Sequence, residues 1–577
     1  MNSAIRGQQM DKILSRFSRS LSAVLFVFLA YASMQARPAF AEGSVGQAAA
    51  KYLVLISLDS CRPDYLGLTP TPNIDKLKAE GTFYTRAWVG QLANDTPPGH
   101  TSIATGRFGK NTSVISFNWR DDRLFPPRDF RVYFSKMVIG FVKVTGWTDL
   151  GLWYLKNVFR KSIEKNFITS YENVVAGRMN SFIKESGSNS IGSLYKKAHS
   201  GAKVAAVSCD KWYACAGLAS DDADITVFAE AKDVPPVGFN AITRLKPAGI
   251  MGRLPPDQIL NDVSLVRDWK EERDSDIWAT DVAVKLIEQI APEVLMINLP
   301  AIDDAGHETG GITAPQRMAE VVANADRQVG RILEAYKKAG KYDETLFVII
   351  SDHGMTPFTV TSSQAALDRL FIETGNLATV SPHIYLLFPE KAGEMAEIIT
   401  NAKLPGIKGA YYKMKQADGK YIYEPSAATA KKITGDLDRC FRYLLDTYAG
   451  PTSPDIELVM SENSHLDWTM FGYKPYVGHH DSTTWLTQNI VLLFAGPGVK
   501  RGAVSMSPAR LVDVAPTALT LMGILPERMD GIVLSHALQS PTARQVQTQM
   551  ALNSKLVPLV KALKELSKAD LVALKAK

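Results

Sequence analysis

The sequence predicts an α/β sandwich built on a mostly parallel sheet, and two patterns carry that reading. Four apolar, β-branched runs are nearly continuous rather than alternating: "YLVLISLD" (52–59), "EVLMINLPAIDD" (293–304), "LFVIISDHG" (346–354) and "NIVLLFAGPG" (489–498). Such runs suit strands buried on both faces, as when helices cover a parallel sheet. Helical periodicity fills the intervals, in "ATDVAVKLIEQIA" (279–291) and "PQRMAEVVANADRQVGRILEAYKKAG" (315–340). Strand and helix in alternation mark this class.

Taken from the N-terminus, a basic stretch is followed by the apolar run "LSAVLFVFLAYASM" and the small-residue sequence "ARPAFA". That order predicts a signal peptide over 1–41, cleaved after Ala41, and a periplasmic or secreted product. The run is short for a membrane span, so no stable span is expected after cleavage. With 46% hydrophobic and 21% charged residues in 577, the chain can bury a large core without disulfides or a structural metal. The formal charge of +6 owes much to the signal, and the remainder carries only about +2, which argues against nucleic-acid binding. The four cysteines include no C-x-x-C pair, which argues against a cysteine-based zinc site. Cys209 and Cys215 are close enough in sequence to bond if geometry allows.

The core is expected over 42–120, 281–360 and 476–545. Two stretches, 121–280 and 361–475, break the strand–helix rhythm and read as inserted caps over the site. Within the first, the apolar segment 133–159 reads as the core of an insertion rather than a lipid-binding surface. The tail, 546–577, reads as an amphipathic, lysine-rich helix packed against the body.

Polar clusters sit where the strands end. Asp59 closes the first run. "IDDAGHETGG" offers Asp303, Asp304 and His307, "SDHGM" offers Asp352 and His353, and "YVGHHDST", just before the fourth run, offers His479 and His480. Each residue singly could be a helix cap or a satisfied polar group. Four of the nine histidines falling in these clusters is hard to obtain from capping alone. Carboxylates and imidazoles without thiolate suit Zn²⁺ or Mn²⁺, and six or seven ligands suit two ions. Two such ions clamp an in-line displacement at phosphorus and lower the pKa of a bound hydroxyl. "LANDTPPGHTSIATG" (92–106) supplies that hydroxyl in Thr96. With Pro97 behind it, Thr96 also reads as a helix N-cap, above a helix N-terminus that favours a substrate's negative charge.

With these motifs in order, the sequence resembles the alkaline phosphatase superfamily, nearest its nucleotide pyrophosphatase/phosphodiesterase and threonine-dependent alkaline phosphatase branch. The matching segments are "LISLDSCRPDYL", "DTPPGHTSIATG", "DDAGHETG", "SDHGM" and "GHHDST", joined by "TPNIDKLKAEGTFYTRAW" and "LVDVAPTALTLMGI". The resemblance implies a three-layer α/β/α sandwich with two inserted caps and two Zn²⁺. It implies Thr96 as a nucleophile that is transiently phosphorylated and then released by water. Asp59, Asp352, His353 and Thr96 would hold one ion; Asp303, His307 and His480 would hold the other. Asp304 stands as an alternative to Asp303, though the D-x-x-G-H spacing favours Asp303, and His479 as an alternative to His480, because Asp481 follows His480 where the family has glycine.

For the substrate, the resemblance implies a phosphate-contacting asparagine, best matched by Asn118. Members specialised for monoesters carry a lysine and an arginine two apart; here Asp210 and Trp212 stand at those places with Lys211 between. A dianionic monoester needs more cationic partners than a monoanionic diester. The reading is therefore an exported two-metal phosphohydrolase acting on a small phosphodiester or pyrophosphate. Alternatives are an alkaline phosphomonoesterase, a phosphonate hydrolase, and a periplasmic binding protein that has lost the chemistry. Gly99, where nucleotide pyrophosphatases commonly have asparagine, weighs against nucleotides specifically.

Overall fold

A computed structural model describes residues 50–117, 119, 130–160, 178–209, 211–219, 222–231, 241–245, 273–359, 364–379, 383–464, 466 and 476–575. The expected signal peptide and Asn118 lie outside them.

Nine strands make the central sheet: β1 (Tyr52–Leu58), β2 (Gly81–Tyr84), β3 (Val204–Val207), β4 (Ile225–Ala231), β5 (Ala241–Leu245), β6 (Val294–Leu299), β7 (Thr345–Ile350), β8 (Leu492–Ala495) and β9 (Ala503–Ser505). Their order is β9-β2-β8-β7-β1-β6-β3-β4-β5. β7, β1, β6, β3 and β4 run parallel, while β8 lies antiparallel between β7 and β2. The fourth apolar run is thus a strand, but a reversed one. The fold is the expected alkaline-phosphatase-like α/β architecture.

Alternate residues of β1 explain its unbroken hydrophobicity. Val54, Ile56 and Leu58 pack on one side with Trp278, Met318 and Val321. Leu53 and Leu55 pack on the other with Ile103, Leu218 and Leu519. Both faces are therefore roofed by helices, and every position of the strand after Tyr52 is buried.

The first interruption lies partly within the core rather than outside it. β3, β4 and β5 come from the 121–280 stretch and extend the sheet. β3 ("VAAV") is only four residues long, too short to register as a periodic run. The second stretch builds its own three-stranded antiparallel sheet from Ile407–Lys415, Tyr421–Pro425 and Ile456–Met460. The C-terminal helix, Ala543–Lys575, buries Leu556, Leu559, Val560 and Leu563 against Phe441 and Leu444 of that region. Among the described residues, no helix is long and apolar enough to cross a membrane. Cys209 and Cys215 are buried thiols not joined by a disulfide.

Candidate metal and nucleophile site

Register brings the clusters to one edge of the sheet. Leu58 pairs with Leu299, and Ser57 with Ile350, so the chain leaves three neighbouring parallel strands at one level. Asp59 follows β1 directly, and Asp352 and His353 follow β7. After β6 a helix starts at Ala301, and Asp303 and His307 stand one turn apart on it. Because β8 is reversed, the segment that precedes it, with His479 and His480, arrives at this same edge.

The helix Thr96–Thr105 corrects the capping expectation. Its cap position is Asp95, and no side chain caps it. An N-cap oxygen accepts from the second or third helical N–H. Those positions are Pro97 and Pro98, which have none. The same prolines strip the helix end of N–H donors, so the expected anion-binding N-terminus is weakened. Asp95 instead accepts from Ser116 Oγ (2.9 Å) and Phe117 N (2.8 Å), tying the chain before residue 118 beside Thr96.

Three ligand groups converge: Asp59, Asp352 and His353; Asp303, His353 and His480; and His479, His480 and Asp481, within each of which the facing donor atoms lie within 4.8 Å of one another. His307 joins none of the three and meets the cluster through Asp303. His353 Nε2 is 3.2 Å from Asp352 Oδ2, 3.6 Å from Asp59 Oδ1 and 3.2 Å from Thr96 Oγ1. Its Nδ1 donates to Gly354 O (3.1 Å), which leaves Nε2 with its lone pair toward the cluster. His307 is set the same way, Nδ1 donating to Gly478 O (2.9 Å) and Nε2 lying 3.3 Å from Asp303 Oδ2. His480 Nε2 is 3.8 Å from Asp303 Oδ1, and its ring stacks on His353 at 3.9 Å. His479 turns Nδ1 onto His480 O (2.8 Å), and the Asp304 side chain is 28% exposed. Asp303 and His480 thus share a group with His353, while His479 groups with His480 and Asp481. Asp481 has φ 59°, a left-handed conformation that accounts for glycine in the family pattern.

These residues fit divalent cations. Asp59 Oδ1, Asp352 Oδ2 and Asp303 Oδ1 are buried and accept no hydrogen bond. Leaving such atoms unmatched costs about 1–3 kcal/mol each, which a bound cation offsets. Burial pushes the Asp59 carboxyl up to about 6, with Asp352 adding to it. Burial lowers His353, and burial together with His353 lowers His480 further, so both rings are neutral as ligation requires.

Lys211 enters from the start of the helix Trp212–Ala219. Gly217 lets that helix touch helix Thr96–Thr105, where a Cβ would sit 2.9 Å from Thr101 N. Lys211 Nζ lies 2.5 Å from Asp303 Oδ2 and 3.3 Å from Asp59 Oδ2, between the first two groups. Burial works against its charge, but Asp303 and Asp59 outweigh burial and hold it well above the usual lysine range.

Two supporting residues carry no strong signal in the sequence. Asn298 Nδ2 donates to Asp59 Oδ2 (3.1 Å). His100 lies with Nε2 3.1 Å from Asn298 Oδ1 and Nδ1 3.3 Å from Asp352 Oδ2. His100 stands one helical turn from Thr96, which is the one clue to it; Asn298 hides inside an apolar strand. Gly99 has a steric reason, since a Cβ there would meet Asp352 Cβ at 3.0 Å.

A mostly parallel sheet with carboxylates and imidazoles gathered at one edge defines a member of the alkaline phosphatase superfamily. Residues 53–437 match the model of the type I phosphodiesterase / nucleotide pyrophosphatase family. The chain belongs to that family, whose members are phosphoester hydrolases. Among solved structures, murine ectonucleotide pyrophosphatase / phosphodiesterase 5 superposes with a TM-score of 0.51 at 16% identity, covering 83% of this chain and 97% of that one. Wild-type alkaline phosphatase PafA gives 0.58 at 14% identity, covering 85% and 99%. Alkaline phosphatase PhoD of Zymomonas mobilis subsp. mobilis is 25% identical over 295 residues. The match spans 48% of either chain, about half the length of that curated relative.

Proposed function

We propose that this protein is an exported, two-metal phosphoester hydrolase that cleaves small phosphodiesters or pyrophosphates with Thr96 as nucleophile. The observation that carries the reading is Thr96 Oγ1, relieved of any capping role and 3.2 Å from His353 Nε2, the same nitrogen that lies 3.2 Å from Asp352 Oδ2 and 3.6 Å from Asp59 Oδ1, carboxylate oxygens that accept no hydrogen bond. Asp59, Asp352 and His353 with Thr96 would hold one Zn²⁺, and Asp303, His307 and His480 the other; Mn²⁺ suits the same donors. When bound, such a pair supplies Lewis acidity at phosphorus and at the attacking and leaving oxygens.

The chain's own groups do the positioning. Helix Thr96–Thr105 presents the hydroxyl for in-line attack, and Asp95 holds the loop leading to Asn118, the proposed phosphate contact. Lys211 is a buried cation among the ligand carboxylates, held by Asp303 and Asp59 until other positive charge satisfies them. Attack forms the Thr96–O–P bond and breaks the bond to the leaving group; water then cleaves the phosphothreonine and restores the hydroxyl. A threonine-to-alanine form of the murine phosphodiesterase 5, solved in complex with AMP, is inactive, which supports a threonine at this step.

A second reading, phosphomonoester hydrolysis, is favoured by Lys211, a cation of the kind a dianion needs. The test is hydrolysis of bis-p-nitrophenyl phosphate against p-nitrophenyl phosphate by metal-loaded wild type and Thr96→Ala. A higher kcat/KM on the diester, reduced by about 10³-fold or more in the variant, supports the first reading. Monoester preference with the same loss moves the assignment to the second. Unchanged activity in Thr96→Ala overturns the nucleophile.

A further inference from the structure

We propose that the helical hairpin over residues 130–160 is a peripheral docking surface for an anionic lipid bilayer. The segment forms the expected insertion core on one face only, and the structure leaves its second apolar face open. Ile139 and Val142 point inward and pack with Leu155, Phe159, Ile372 and Leu377. On the opposite face of helix Phe130–Thr145, Tyr133, Met137, Phe141 and Val144 recur at helical spacing and are exposed, Met137 by 61% and Val144 by 88%. The following turn and helix add Trp147 (63%) and Trp153 (57%).

A helix apolar on both faces needs an apolar medium on each. Here one is the protein and the other face is open. The surface is rigidly held, since Arg160 pairs with Asp368 at 2.6 Å and both are buried. That fixes the hairpin's root to the helix Gln364–Thr374. Tryptophan and tyrosine at such a face match the water–hydrocarbon boundary, where an apolar ring and a polar tip are both accommodated.

Charge chooses the occupant. Among described side chains, Lys136, Lys143 and Lys156 are exposed on the hairpin against one acid, Asp149. Lys136 Nζ lies over the rings of Tyr133 (5.9 Å) and Phe388 (5.4 Å), and Lys143 Nζ donates to Thr374 O (3.4 Å), so both ammonium groups sit on the rim between the apolar face and the hairpin's root. A second copy docking through a two-fold axis would set this rim against itself, lysine against lysine. An anionic membrane surface complements it. Neither helix is long and apolar enough to span, so the surface lies in the interface plane.

The test is flotation of the full chain with phosphatidylcholine vesicles containing about 25% phosphatidylglycerol, at low and high salt. The variants are Met137→Ser/Trp147→Ser/Trp153→Ser and Lys136→Glu/Lys143→Glu, each checked for an unchanged Tm. The apolar run near the N-terminus is present in every protein, so differences report the hairpin. The expected result is a bound fraction at least about tenfold lower for the triple serine variant, and loss of salt sensitivity for the charge reversal. Equal flotation of wild type and the triple variant overturns the proposal. So does wild type that ignores vesicles and instead forms a dimer, seen by sedimentation, that the triple variant abolishes.

Discussion

Asn298 Nδ2 and Asp59 Oδ2 lie 3.1 Å apart in the dry interior, joining β6 to the first residue after β1. The amide fixes one carboxylate oxygen and leaves Oδ1 turned to His353. Asn298→Ala is expected to lower metal affinity by about 10- to 100-fold while the fold persists, because Asp59 can then rotate. Titration of the metal-free protein with Zn²⁺, followed by a fluorescent chelator, measures it. An unchanged affinity would show that Asn298 serves only the strand.

Metal loading should depend on pH through Asp59. Its carboxyl is raised to about 6 by burial and by Asp352, and the charged form is the ligand. Protons therefore compete progressively as pH falls below about 6, and affinity is expected to drop by about tenfold per unit there. Calorimetric titrations between about pH 5 and 8 should show the bend; a flat profile contradicts it.

Removing ligands from one group should halve the metal content. His480→Ala or Asp303→Asn is expected to leave about one equivalent by elemental analysis, since Asp59, Asp352, His353 and Thr96 are untouched. Two equivalents in either variant would move that ligand role to Asp304 or His479.

Lys211→Ala separates the two substrate readings. The ammonium is buried between Asp303 and Asp59, so its loss is expected to cost about 10²-fold in kcat/KM on a monoester and less on a diester. Equal losses on both would make Lys211 a positioning residue for the carboxylates.

His383 and Glu457, 2.6 Å apart, brace the second insertion below Asp481 and Asp95. Burial opposes protonation of His383, but Glu457 and then Asp481 raise it to about 9. A raised histidine stabilises fully below the unfolded value near 6.5 and loses that stabilisation as pH rises through about 9. Wild type is therefore expected to lose about 3 kcal/mol between about pH 7 and 10 that His383→Gln does not lose, read from urea unfolding. Parallel curves would count against the pair.

Much of this was legible before folding. β1, β6 and β7 declare themselves because strands buried on both faces are apolar at nearly every position. Asp59, Asp303, Asp352 and His353 are legible because each falls within a few residues of such a strand's end, and His307 because it stands one helical turn beyond Asp303. What adjoins no strong pattern was not. β3 is too short for a period, so its stretch read as an insertion, and Asn298 is hidden by the apolar run around it.

Residue type and spacing along the chain therefore determined the α/β class and pointed to the candidate donors and the hydroxyl of Thr96. Only the tertiary structure decided how they meet. Reversal of β8 carries His480 to the edge where the parallel strands end. Pro97 and Pro98 withdraw the donors that would have engaged a cap, and packing of helix Trp212–Ala219 sets Lys211 between the carboxylates. One hairpin also keeps its aromatic face outside. Local sequence fixes what each segment can bury, but the direction of a strand and the neighbour a face receives depend on contacts hundreds of residues apart.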